Sequence, residues 1–185
     1  MPMNITVENQ QKRIPLKPQT ILLAAKKILR HEKVKTADLS LVFVLDSKIK
    51  SLNKKYLQEN HPTDVLSFDF KSVPRGNHQR RVLRQILNYR LKNQNLFSTS
   101  GEPTNKLKLV EPRGTSNESR INGEIIISAD TAVRNARTYQ TSPQQEILLY
   151  VIHGILHLLG YDDHSPDDIQ EMRRKEAELM SFLKR

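Results

Sequence analysis

From Ile147 to Leu159 the chain reads Ile-Leu-Leu-Tyr-Val-Ile-His-Gly-Ile-Leu-His-Leu-Leu, apolar almost all round a helical period. A helix of that kind has no face to give to water, so it must lie at the buried centre of the fold. The remaining elements must then supply layers that cover it. Ser142 stands before the run as an N-cap, with Pro143 at the first helical position and Gln145 spaced to complete a capping box. Gly160 follows as a residue suited to a position just past a helix end. The two polar interruptions, His153 and His157, are four residues apart and share one face.

The covering layers can be read from hydrophobic periodicity. Ile5 to Val7 predicts a short first strand, and Pro18 to Arg30 a helix through its Ile21-Leu22, Ala25 and Ile28-Leu29 stripe. Leu39 to Leu45 (LSLVFVL) is a near-continuous apolar run of strand length, as expected of a strand covered on both faces. Asp46 to Leu57 predicts a helix with Ile49, Leu52 and Tyr56 on one side. Thr63 to Phe70 and Ile121 to Ser128 are two further strands, rich in β-branched and aromatic residues. After Ser128 the chain reads helical in three pieces, the last opening at Ser165-Pro166 with Asp167 and Asp168 at the positive end of its dipole. The fold class is α+β: a small mixed sheet of about four strands packed with helices. A length of 185 residues suits a single domain over 1–185 that carries one insertion.

That insertion is marked by charge. The chain carries a net +10, and residues 71–120 hold eleven Lys and Arg against three Asp and Glu. Most of the excess is therefore one segment, rich in Asn, Ser, Thr, Gly and Pro, between two strands that should be neighbours. Within it Leu83, Leu87 and Leu91 recur at helical spacing, so residues 79–94 predict a basic amphipathic helix, while residues 101–119 show no periodicity. The expected partner is a polyanion, with Arg80, Arg81, Arg84, Arg90 and Lys92 as candidate contacts. A solvated loop without function is the plain alternative. A membrane-surface helix is less favoured.

There is no Cys, which excludes disulfides, thiolate metal ligands and Cys nucleophiles and fits a reducing compartment. The start shows no secretory pattern, and no apolar run approaches about 18 residues, so the expectation is a soluble cytoplasmic protein with no membrane partner. Any metal must sit on His, Asp or Glu. His153 and His157 are close enough on their helix to share an ion, and the glycine turn at Gly160 can bring back a donor from the Tyr161-Asp162-Asp163-His164 stretch. Three protein donors with one position open is the arrangement of a catalytic zinc site. Zinc is preferred, one ion per chain, although nickel, iron and copper also accept imidazole. Gly154 occupies the position where zinc peptidases of the His-Glu-x-x-His type carry their general base, so an ordinary protease is disfavoured.

At these residues the chain resembles the YbeY family of bacterial zinc-dependent endoribonucleases. His153 to Asp162 match the family's His-Gly-x-x-His-x-x-Gly-Tyr-Asp-His hallmark, Thr63 to Phe68 its Thr-Asp/Asn-Val-Leu-Ser-Phe strand, and Gly123 to Ser128 its Gly-Asp/Glu-Ile-x-Ile-Ser strand. Leu52-Asn53-x-x-Tyr56 also fits, so four segments agree in order. The family's third ligand falls ten residues after the first His, which here is Asp163; His164 comes one residue late. Imidazole is the better zinc ligand and spacing favours the carboxylate; the reading taken is His164, with Asp163 as the alternative. The family's functional Arg after the Tyr is Leu57 here, and Lys54, Lys55 or arginines of the insertion are candidate substitutes. Relatives have only a short connection where this chain has residues 71–120.

The resemblance implies a hydrolase and endonuclease of single-stranded or accessible RNA that acts in ribosomal RNA processing, at the 3′ end of 16S rRNA, and in ribosome quality control. Its partner would be the small ribosomal subunit. His153 and His157 would be both metal ligands and catalytic residues, and Asp162 would orient an imidazole from behind. Asp64 reads as a strand-end cap rather than a base. Two other readings stay open: a non-catalytic ribosome-assembly factor with a structural metal, and a metal-dependent hydrolase of another substrate.

Overall fold

The computed structural model describes residues 3–70 and 120–184. Among these residues, four strands form one sheet in the order β1-β2-β4-β3: β1 (Met3–Asn9), β2 (Thr36–Val44), β3 (Val65–Asp69) and β4 (Arg120–Ser128). β1 and β2 are parallel, as are β2 and β4, whereas β3 runs antiparallel to β4 with Val65 opposite Ile127 and Asp69 opposite Gly123. Five helices accompany them: α1 (Pro18–His31), α2 (Asp46–Leu57), α3 (Ala129–Thr138), α4 (Pro143–Leu158) and α5 (Pro166–Leu183). The expected mixed α+β sheet is therefore observed. Residues 71–119, which contain the amphipathic stretch read at 79–94, lie outside the described residues.

Alternation along the two central strands separates two hydrophobic cores. Leu39, Leu41 and Phe43 of β2, with Ile121, Ile125 and Ile127 of β4, face the layer of α1, α3, α4 and α5. Val42, Val44 and Ile126 face the other way, where Ile49 and Leu52 of α2 cover them. β2 is thus apolar on both sides from Leu41 to Val44, which is why it reads as a continuous run, whereas the α2-facing side of β4 also buries the polar residues Asn122, Glu124 and Ser128.

α4 carries the largest share of the first core. Ile147, Val151, Ile152, Ile155 and Leu156 are fully buried, each contributing about 1.5–3 kcal/mol by removal from water. The expected capping box is present: Ser142 Oγ accepts from the Gln145 amide at 3.2 Å, and the Gln145 side chain accepts from the Ser142 amide at 2.9 Å. Gly154 lets the helix lie directly on the sheet. A Cβ there would stand 2.6 Å from Ile125 Cγ2 and 3.2 Å from Ser67 Oγ. A glutamate at that position, as in the peptidase pattern, has no room.

Two helices start where two parallel strands end and secure one another. Asp46, at the first turn of α2, accepts from Ser128 Oγ at 2.5 Å and Thr131 Oγ1 at 3.0 Å and pairs with Arg134. Asp130 in turn accepts from the Asp46 amide at 3.0 Å. Burial alone would raise the Asp46 pKa, but the hydrogen bonds from Arg134, Ser128 and Thr131 hold the carboxyl below its ordinary value.

Candidate metal centre

The site begins at the end of α4. Gly160 adopts a left-handed φ of 92°, so its amide returns to the His157 carbonyl at 2.9 Å and the Tyr161 amide to the Leu156 carbonyl at 3.0 Å. These two bonds are a Schellman close, and they turn the chain sharply back across the last turn of the helix. The reversal places the Tyr161 carbonyl 3.0 Å from His157 Nδ1. From the other side, Glu176 of α5 brings Oε1 to 2.7 Å from His153 Nδ1.

A carbonyl and a carboxylate can only accept, so both Nδ1 atoms carry hydrogen and donate. In the neutral rings both Nε2 atoms then present lone pairs, and these face each other at 2.8 Å. Asp163 Oδ2 lies 3.8 Å from His153 Nε2 and 3.9 Å from His157 Nε2. Three electron-rich atoms therefore converge on one point and repel unless a proton or cation lies between them. A tetrahedral zinc ion with bonds of 2.0–2.1 Å sets its ligand atoms about 3.3–3.4 Å apart. The observed spacings bracket that value to within about half an ångström, so the donor set fits such an ion.

The electrostatics agree. Burial alone would lower the His153 pKa, but the hydrogen bond and charge of Glu176, joined by the charges of Asp64 and Asp163, outweigh it and raise the value. The His157 pKa is lowered, first by burial and then by His153 beside it, against the opposing pull of Asp163. The pair thus divides into a ring that holds a proton readily and one that gives it up.

Sequence expectation and structure differ at the third donor. His164 is 86% exposed and turns to Asp162, 3.5 Å away, while Asp163 points at the imidazoles. The extra residue in this turn is spent outside, so the position set by spacing rather than the better ligand type faces the pair. Asp162 likewise touches neither imidazole: its Oδ1 accepts from the Asp163 amide at 2.8 Å and shapes the turn. The orienting role expected of it falls to Glu176 and the Tyr161 carbonyl, which the sequence reading missed. One signal for Glu176 was there. It interrupts the stripe Met172, Leu179, Leu183 on α5, where a charged residue needs a partner. Asp64 Oδ1 accepts from the Val65 amide at 2.9 Å, as a strand-end cap does. Lys54 and Lys55 are exposed on the last turn of α2, where Lys55 lies over the Tyr56 ring, and Leu57 ends that helix. Arg80, Arg81, Arg84, Arg90 and Lys92 lie outside the described residues.

A family profile described as Endoribonuclease YbeY matches residues 6–184. The chain belongs to the YbeY family. Among its relatives are proteins named Endoribonuclease YbeY from Syntrophus aciditrophicus, 29% identical over 99% of this chain and 91% of the relative, and from Pelotomaculum thermopropionicum, 33% identical over 86% of this chain and 82% of the relative. A solution structure from Thermotoga maritima shares the fold, with a TM-score of 0.50 at 21% identity, covering 98% of this chain and 88% of that one. Among the described residues no helix is long and apolar enough to cross a membrane.

Proposed function

We propose that this YbeY-family chain is a metal-dependent endoribonuclease that cuts single-stranded or accessible ribosomal RNA in the cytoplasm, with the small ribosomal subunit as its partner. The observation that carries the reading is the convergence of His153 Nε2, His157 Nε2 and Asp163 Oδ2, whose ligand atoms all lie within 4.8 Å of one another. The names of the relatives supply the substrate class.

His153, His157 and Asp163 would hold the ion, zinc by preference. When bound, such an ion supplies Lewis acidity toward phosphoryl oxygen and water at neutral pH. The chain's own residues prepare the place for it. Glu176 and the Tyr161 carbonyl fix both rings with Nε2 forward, and Gly154 holds their helix on the sheet. Basic residues of the 71–120 stretch would hold the RNA backbone without reading sequence, so that affinity falls with salt. Deleting that stretch should flatten the salt slope, and an unchanged slope refutes its role.

The deciding experiment compares the zinc-loaded protein with His153→Ala and His157→Ala on single-stranded ribosomal RNA fragments. Loss of cleavage with circular dichroism and RNA binding retained supports the proposal. Cleavage at the parental rate in both variants refutes it.

A further inference from the structure

Beside the metal centre, between the N-terminal half of α4 and the C-terminal half of α5, lies a cleft of about 320 Å³. That volume falls at the lower end of the range for small-ligand sites. Leu149, Ala177 and Met180 give it an apolar lining. Glu146, only 4% exposed, lines it; its Oε1 accepts from Thr141 Oγ1 at 2.5 Å and its carboxylate also hydrogen-bonds Tyr150, which leaves lone pairs for a further donor. Arg173 and Lys184 also line the cleft, both exposed to solvent. Glu176 belongs to both places: it lines the cleft and holds His153. One side chain therefore separates the cleft from the candidate metal centre.

Each feature matches part of a nucleotide. The apolar lining suits the flat face of a base, the buried carboxylate is an acceptor for an amino group on its edge, and the two cations suit the neighbouring phosphates. A ligand that brings its own anionic group against Glu146 and Glu176 is disfavoured, so a phosphate would face the exposed Arg173 and Lys184 instead. We propose that this cleft is a nucleobase subsite, taking a base of the RNA strand close to the scissile phosphate and favouring cytosine, adenine or guanine over uracil. The inference rests on the endoribonuclease reading for its ligand. Uracil offers a single N–H flanked by two carbonyl oxygens, and those oxygens repel a fixed carboxylate. The other three bases present an amino group to it.

The test has a binding arm and a cleavage arm. In the first, the full-length protein is titrated with CMP and with UMP while the backbone amide resonances of Leu149, Ala177 and Met180 are followed by NMR. In the second, zinc-loaded protein cuts a random-sequence single-stranded RNA pool, and the cut ends are sequenced. We expect CMP to shift these resonances at about one tenth of the UMP concentration, and the cuts to carry a bias against uracil at one fixed position. Ala177→Trp fills the cleft from an exposed helix position, and it should abolish both the shifts and the bias. Glu146→Gln should remove the discrimination between CMP and UMP. Equal response to the two nucleotides, no shift with either, or a bias that survives Ala177→Trp overturns the subsite. A pool cut without bias and without shifts rejects the subsite while the ribonuclease reading stands. An uncut pool with CMP-selective shifts supports a nucleobase site in the cleft but overturns its place beside a scissile phosphate, together with that reading.

Discussion

Removing Glu176 tests the construction of the candidate metal centre more directly than removing a donor does. Its Oε1 is 2.7 Å from His153 Nδ1, and both side chains are less than one fifth exposed. A hydrogen bond to a charged group in such a setting is worth about 1.5–3 kcal/mol. At about 1.4 kcal/mol per factor of ten, that matches the roughly 10–100-fold loss of metal affinity seen when such orienting partners are replaced. Glu176→Ala should therefore weaken zinc binding by about that factor at pH 8, measured by competition with a chromophoric chelator. A second consequence has the opposite sign. Glu176 also raises the His153 pKa, so the proton competes with the ion up to a higher pH than at an ordinary imidazole. In Glu176→Gln the His153 pKa falls, so the proton competes less, and the affinity deficit seen at pH 8 should narrow as pH falls and protons begin to compete for the parent's His153. A folded Glu176→Ala protein with parental zinc affinity, or a Gln variant whose deficit is the same at every pH, would refute the reasoning.

Three further outcomes follow from named contacts. Asp163→Ala should lower zinc affinity by at least tenfold and His164→Ala by less than twofold, because only Asp163 faces the imidazoles; the same chelator competition checks this, and the reverse order would refute the assignment. Gly154→Ala gains about 1 kcal/mol of helix propensity but forces a Cβ to 2.6 Å from the fully buried Ile125, a clash of the kind that costs about 1–3 kcal/mol, so urea unfolding should show a net loss of up to about 2 kcal/mol rather than a gain. Asp46 has a lowered folded pKa, so its contribution is full above the ordinary value of 3.8 and fades as pH falls through the lowered one; Asp46→Ala should cost about 2 kcal/mol at pH 7, and its gap from the parent should close on acidification in unfolding curves run from pH 7 down to pH 2.

The fold was legible where one periodicity was strong. α4 could be bounded almost to the residue because its caps are local, β2 announced itself by being apolar on both faces, and β4 by its β-branched residues. β1 was underestimated, since Met3–Asn9 extends beyond the Ile5 to Val7 core: strand pairing with β2 orders residues whose own side chains say little. β3 was overestimated at both ends, because Asp64 caps the strand and Phe70 lies beyond its last ladder pair. For the site, the shared face of His153 and His157 follows from helical spacing alone. The third donor did not, because ligand preference and spacing disagreed and only the path of the turn decides between them. Glu176 could not be assigned from sequence, since it comes from another helix 23 residues along, and the packing of α5 on α4 is a tertiary fact.

On the proposed reading, the charge pattern explains what a bound cation would do at this place in a strongly basic chain. Four carboxylates act on the imidazole pair: Glu176, Asp64 and Asp163 on His153, and Asp163 and Asp162 on His157. A phosphodiester approaching these residues meets like charge, whatever the net +10 of the whole chain does at a distance. A positive charge at the point where the three donor atoms converge, a proton or a metal ion, would reconcile attraction from afar with repulsion at the centre. Two of these carboxylates have a further part in the site: Glu176 holds the His153 ring, and Asp163 would hold the ion. On the proposed reading, binding of a cation would be what admits the RNA phosphate, and basic residues elsewhere would raise the local concentration of RNA without completing the site.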